Sequence, residues 1–125
     1  MSKGQIAHVE IPADEPDRAQ RFYGELFGWQ FRAMPEYEDY FLFTAGDGDG
    51  SVGGAIGKRN VSAPNQVRNY ISVDSIDDAV AQVPGLRGTV TEAKQEVPGQ
   101  GWFGVCTDPE GNEFALWQST APAAS

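Results

Sequence analysis

Two stretches of this chain repeat one another in outline, and the repeat limits the folds open to it. Val9-Glu10-Ile11 is followed by Asp17-Arg18-Ala19. Ile71-Ser72-Val73 is followed by Asp77-Asp78-Ala79. In each case a run alternating in period two leads into an acidic helix opening. Short strand-like runs follow both helices. Each half therefore reads as strand, helix, then strands, a repeated supersecondary unit. With 125 residues the chain suits one domain made of two such halves. Fifteen glycines and eight prolines supply the turns that many short strands require.

In the first half a strand over Gln5 to Pro12 carries the only histidine, His8, on the same parity as Glu10. A helix is expected from Glu15 to Phe27, with Asp14 as N-cap, Pro16 in the first turn and Gly28 as the left-handed stop. Ala19, Phe22, Tyr23, Leu26 and Phe27 form its apolar face. Three strands should follow: Trp29 to Arg32, Tyr40 to Thr44, and Val52 to Gly57. The Gly46-Asp47-Gly48-Asp49-Gly50 stretch is a hairpin connection. The glycines of the last strand imply close approach by another backbone or a ligand.

In the second half a strand runs from Arg68 to Asp74, and Ser75 caps a short helix ended by Pro84-Gly85. Strand-like runs cover Gly88 to Glu92, Lys94 to Val97, and Trp102 to Thr107. Asp108-Pro109-Glu110-Gly111-Asn112 is a tight turn. Glu113 to Gln118 is the final strand. The organisation is one domain: module one at residues 5–58, a linker at 59–67, module two at 68–118 and a frayed tail at 119–125.

The formal net charge of −9 disfavours nucleic acid and anionic membranes as partners. No apolar run reaches the roughly 20 residues of a membrane span. Cys106 has no cysteine partner; a buried, inert thiol in a cytoplasmic protein is expected. No phosphate loop, dinucleotide fingerprint or zinc-ribbon spacing is present.

The stretches HVEIPADEPDRAQRFYGELFGW, NYISVDSIDDAV and DPEGNEFALW resemble the vicinal oxygen chelate superfamily. That superfamily groups glyoxalase I, bleomycin-resistance proteins, fosfomycin-resistance enzymes and extradiol dioxygenases. PGQGWFGVCTDPEGNEFALW is similar to its glyoxalase-like subgroup, related to lactoylglutathione lyase. The resemblance spans Gln5 to Gln118. It implies an α+β fold, two βαβββ modules forming an incomplete barrel with a central cup, commonly as a homodimer. It also implies metal ligands on equivalent strands of the two halves.

His8, seven residues before Glu15, matches the first ligand position. The second falls on Arg68, five residues before Val73, and the last on Ala115, seven after Asp108. The remaining position, around Ala55 to Gly57, holds no ligand type. Arginine stays protonated and has no lone pair to donate, and alanine has no donor at all. A divalent catalytic site needs about three protein donors, so no cofactor is expected. A shifted set of His8, Glu10 and Glu113 is the alternative.

His8 is then either a residual ligand or a neutral pocket histidine, able to act as acid or base. Glu113 is the other candidate for catalysis. Arg68 would clamp a carboxylate or phosphate, unless it is simply a surface arginine. Asn69 takes its place if the register slips by one. Glu10, Tyr70, Trp102, Ala115 and Trp117 complete the expected ligand-binding set. The leading expectation is a glyoxalase-like protein with a degenerate metal site, binding a small aromatic or anionic molecule in the cup. One alternative is a metal-dependent lyase, isomerase or dioxygenase. Another is a structural dimer whose cavity has closed.

Overall fold

The computed structural model of the chain describes residues 4–46 and 52–120. The glycine–aspartate connection expected after Gly46 lies outside the described residues, as does the tail beyond Thr120. The protein is α+β. Its backbone divides into two compact units: His8–Arg68, and the chain start up to Ala7 together with Asn69 onward.

The first unit holds β1 (Ile6–Ala13, from His8 on), α1 (Pro16–Phe27), β2 (Phe31–Ala33), β3 (Tyr40–Ala45) and β4 (Val52–Lys58). Its strands lie in the order β2-β3-β4-β1. β4 is parallel to β1 and antiparallel to β3. Proline opens α1, and Gly28 closes it at φ 78°, its N–H bonded to the Gly24 carbonyl. The N-cap is Glu15, not Asp14, and it caps without its side chain. Asp14 is engaged elsewhere, its carboxylate accepting from Arg59 Nε at 2.8 Å. Ala13, Phe43 and Ile56 form the core beneath α1, with Ala19 and Tyr23 packed on it.

Phe22, Leu26 and Phe27, expected on the helix's buried face, are exposed instead. The buried stripe of α1 is therefore narrower than its apolar pattern. Trp29, read as the first residue of β2, lies ahead of it and stacks on Phe43, ring centroids 4.4 Å apart. The linker expected at residues 59–67 belongs to this unit and is anchored to it. Arg59 Nη1 donates to the Asn65 carbonyl at 2.6 Å, and the Ser62 hydroxyl donates to the Asp39 carbonyl at 2.9 Å.

The second unit holds β5 (Arg68–Ser72, from Asn69 on), α2 (Ile76–Gln82), a 3-10 turn at Pro84–Leu86, β6 (Thr89–Val97), β7 (Gly101–Thr107) and β8 (Glu113–Ser119). Its strand order is β5-β8-β7-β6. Ser75 caps α2 as expected, its hydroxyl accepting from the Asp78 N–H. The two runs read at 88–92 and 94–97 are one strand, β6. Two register shifts against β7 break its alternation, and that made it look interrupted. Ile76, Cys106 and Leu116 form the core under α2. Cys106 is buried and unpaired, and burial pushes its thiol pKa up. The turn before β8 closes on Asp108, whose carboxylate accepts the Glu110 and Asn112 N–H groups at 2.9 Å. Those bonds hold its carboxyl below the usual range.

Candidate functional site

Strand pairing sorts the first unit's residues onto two faces. Phe43 opposite Gly54, Gly54 opposite Val9, and Phe41 opposite Ile56 turn toward α1. The other face carries three rows across the sheet. Thr44, Gly53 and His8 form one. Arg32, Leu42, Ala55 and Glu10 form the next. Tyr40, Gly57 and Pro12 form the third. The period-two alternation of β1 is what places His8 and Glu10 together here.

Tyr40 joins them. Its hydroxyl donates to Glu10 Oε2 at 2.6 Å and lies 3.1 Å from His8 Nε2. To do so, a β3 side chain must cross β4 to reach β1. β4 permits it by carrying only small residues on this face. A Cβ on Gly57 would stand 3.0 Å from Tyr40 Cδ1 and 2.8 Å from the Ala63 Cβ. Glycine thus lets the tyrosine ring lie across the strand.

The network assigns the protons. A phenol has one hydrogen, and the short contact to a carboxylate takes it. The hydroxyl oxygen then accepts from His8, which fixes the neutral imidazole as the Nε2–H tautomer. The His8 side chain is 29% exposed and that of Glu10 12%. Burial pulls the His8 pKa below its ordinary value, and the nearby Glu10 carboxylate, 4.0 Å away, offsets part of that. His8 is therefore neutral at neutral pH.

An open pocket of about 750 Å³ begins at His8. Thr44, Gly53 and Arg32 line it from the His8 face, and Phe27, Phe31, Phe43 and Gly54 from the helix-facing side.

Arg68 is buried, and the burial pattern of β5 alternates from it: Arg68, Tyr70 and Ser72 inside, Asn69 out. The register is the one that favours Arg68 over Asn69. In the second unit, Tyr70 pairs with Ala115, and Trp117 with Phe103. Glu113, Ala115 and Trp117 thus share the sheet face that Tyr70 occupies, away from α2. Tyr70 packs edge-on to Phe103. Trp102 lies on the opposite face, in the core under α2, with Lys94 Nζ 5.3 Å from its ring centroid.

Tyr40, the centre of the first unit's network, is not among the residues singled out from the sequence. The available signal was its parity: Tyr40, Leu42 and Thr44 alternate on β3, opposite the small residues of β4. Nor did the sequence give a role to Arg32.

The metal set implied by the resemblance does not fit the residues present. Among the described residues no group of three or more His, Cys, Asp or Glu side chains stands close enough to hold an ion. The Nε2 of His8 is occupied by the tyrosine hydroxyl, and Glu10 accepts that hydroxyl's proton. Among the described residues, no helix is long and apolar enough to cross a membrane.

Comparison with known proteins agrees with this geometry at the level of family and fold. The profile of the glyoxalase-like domain matches residues 8–117. A Mycobacterium bovis protein named "Putative glyoxylase CFP32" is 30% identical over 115 residues, covering 90% of this chain and 43% of its own length. The chain thus spans less than half of that relative. A Didymella fabae glyoxylase-like domain-containing protein is 30% identical over 121 residues, covering 90% of this chain and 92% of its own. Among solved structures, a Streptomyces coelicolor methylmalonyl-CoA epimerase in complex with 2-nitronate-propionyl-CoA aligns with a TM-score of 0.70 at 14% identity. It covers 96% of this chain and 100% of that one. A Vibrio splendidus member of the glyoxalase/bleomycin resistance protein/dioxygenase superfamily gives 0.66 at 14% identity, covering 93% and 99%. At that identity the structural likeness is one of fold.

Proposed function

The chain belongs to the glyoxalase-like domain family, and from that membership we propose a small-molecule-binding protein with a degenerate metal site, holding a small aromatic or anionic ligand beside His8 without a metal. One observation carries the reading: the Nε2 of His8 is bonded to the Tyr40 hydroxyl, which Glu10 holds in place. A metal at that nitrogen would have to displace the Tyr40 hydroxyl and move the imidazole proton from Nε2 to Nδ1. The arrangement instead offers a neutral, oriented imidazole at the mouth of a pocket. Arg68 and Ala115, at positions where the superfamily implies ligands, support the same reading. The proposal keeps the cytoplasm as compartment, consistent with one buried free thiol, and a homodimer as the working form.

A lyase or isomerase acting beside a carbonyl is the second reading, and the same network favours it. A neutral histidine hydrogen-bonded to a tyrosine is a serviceable acid–base pair.

Metal analysis of untagged protein, purified without chelators, tests the first reading. The expected result is metal far below one equivalent per chain, and no change in thermal midpoint with added zinc, nickel or manganese. Stoichiometric metal that disappears in His8→Ala would contradict it, because binding to the native state must register in both measurements.

A further inference from the structure

The pocket that starts at His8 carries a cation in a strongly acidic chain. The protein carries 18 acidic residues against nine lysines and arginines. Among the described residues, none that lines this pocket is acidic, and Arg32 is among them. Arg32 stands on edge strand β2, in the row that crosses Leu42 and Ala55 to Glu10. Three strand spacings of about 4.8 Å separate its backbone from β1. The Arg32 and His8 side chains both line the space across that gap. Thr44 and Gly53, paired across β3 and β4, also line it, and Phe27 and Phe31 add apolar lining from the helix-facing side.

We propose that this pocket takes an aromatic anion, a carboxylate or a phosphate ester carried on a ring, with Arg32 gripping the anionic group. The proposal rests on the metal-free binding reading and gives it a ligand class. The physical basis is the fork of the guanidinium, which meets carboxylate and phosphate oxygens two at a time. In a molecule of net charge −9, a cation on the pocket wall lowers the repulsion an anion meets there.

The test is calorimetric titration of the full chain at low salt with phenylacetate, phenyl phosphate and the uncharged phenylacetamide. One or both anions should bind about ten- to a hundredfold tighter than the amide, the difference a charge-assisted hydrogen-bond pair makes. Arg32→Gln should abolish that preference, and Arg32→Lys should restore part of it. Arg32 is exposed, so both variants should fold, which their thermal midpoints will show. Phenyl phosphate leading would assign the ester, and phenylacetate leading the carboxylate. Equal binding of all three probes, no heat from either anion at about 10 mM, or a preference that survives Arg32→Gln would overturn the proposal. Stoichiometric bound metal would overturn the parent reading while leaving the Arg32 result intact, so the two failures are distinguishable.

Discussion

Replacing Gly54 with alanine should cost about 3 kcal/mol of stability, the range of severe overpacking in a closed core. Gly54 lies in β4 between β1 and β3 on the helix-facing side. A Cβ there would collide with the Val9 carbonyl oxygen and come within 2.8 Å of Phe43 Cζ. Neither can yield locally. Val9 belongs to the neighbouring strand's backbone, and Phe43 is buried and stacked on Trp29 with ring planes 7° apart. Relief requires either spreading β1 from β4 or unstacking the aromatic pair. In a chain of this length the loss should lower the thermal midpoint by about 10 °C. Gly85→Ala is the control: its added Cβ meets nothing within 4 Å, and its midpoint should stay within about 2 °C of the parent, as surface changes do. Equal midpoints for the two variants would show that the aromatic–glycine packing under α1 is not as described.

Tyr40→Phe should cost about 2 kcal/mol, the net worth of a hydrogen bond to a charged group. The ring can stay where it is, over Gly57. What disappears is the proton donated to Glu10 at 2.6 Å, from a carboxylate only 12% exposed. Glu10→Gln should cost less, because a carboxamide oxygen can still accept that proton. Urea unfolding of the three proteins at neutral pH gives the ranking directly. If Tyr40→Phe is as stable as the parent, the hydroxyl is not holding the two strands' side chains together. If Glu10→Gln is the worse of the two, the charge of Glu10 matters through some other partner.

Much of the fold was legible because local patterns encode it. The alternation of β1, the Gly28 stop and the Ser75 cap all depend on neighbours within a few residues, and the structure carries each of them. The readings that shifted depended on distant partners. Asp14 would cap α1 if Arg59, 45 residues away, did not take its carboxylate. Phe22 and Leu26 have the spacing of a buried stripe, yet only Ala19 and Tyr23 meet the sheet. β6 looked like two strands because its register shifts are set by pairing with β7.

The site was legible in the same uneven way. The parity of one strand put His8 beside Glu10. The role of Tyr40 is not written locally, because it depends on which residues lie across two strands and on Gly57 being small enough to be crossed. Arg32 was read as a strand residue; its place on a pocket wall becomes visible only once β2 is seen at the sheet's edge.

His8 is the only histidine in the chain, so its imidazole gives a single set of signals. A long-range proton–nitrogen NMR spectrum of the ring, followed with pH and then with added zinc, is therefore the most direct test of the metal-free site. The account predicts a neutral ring at pH 7 with the hydrogen on Nε2. It predicts protonation only below the ordinary histidine range, because burial disfavours the charged form, and no change on adding one equivalent of zinc. A ring protonated on Nδ1, or signals that shift with substoichiometric zinc, would show that Nε2 is open to a metal and would contradict the account.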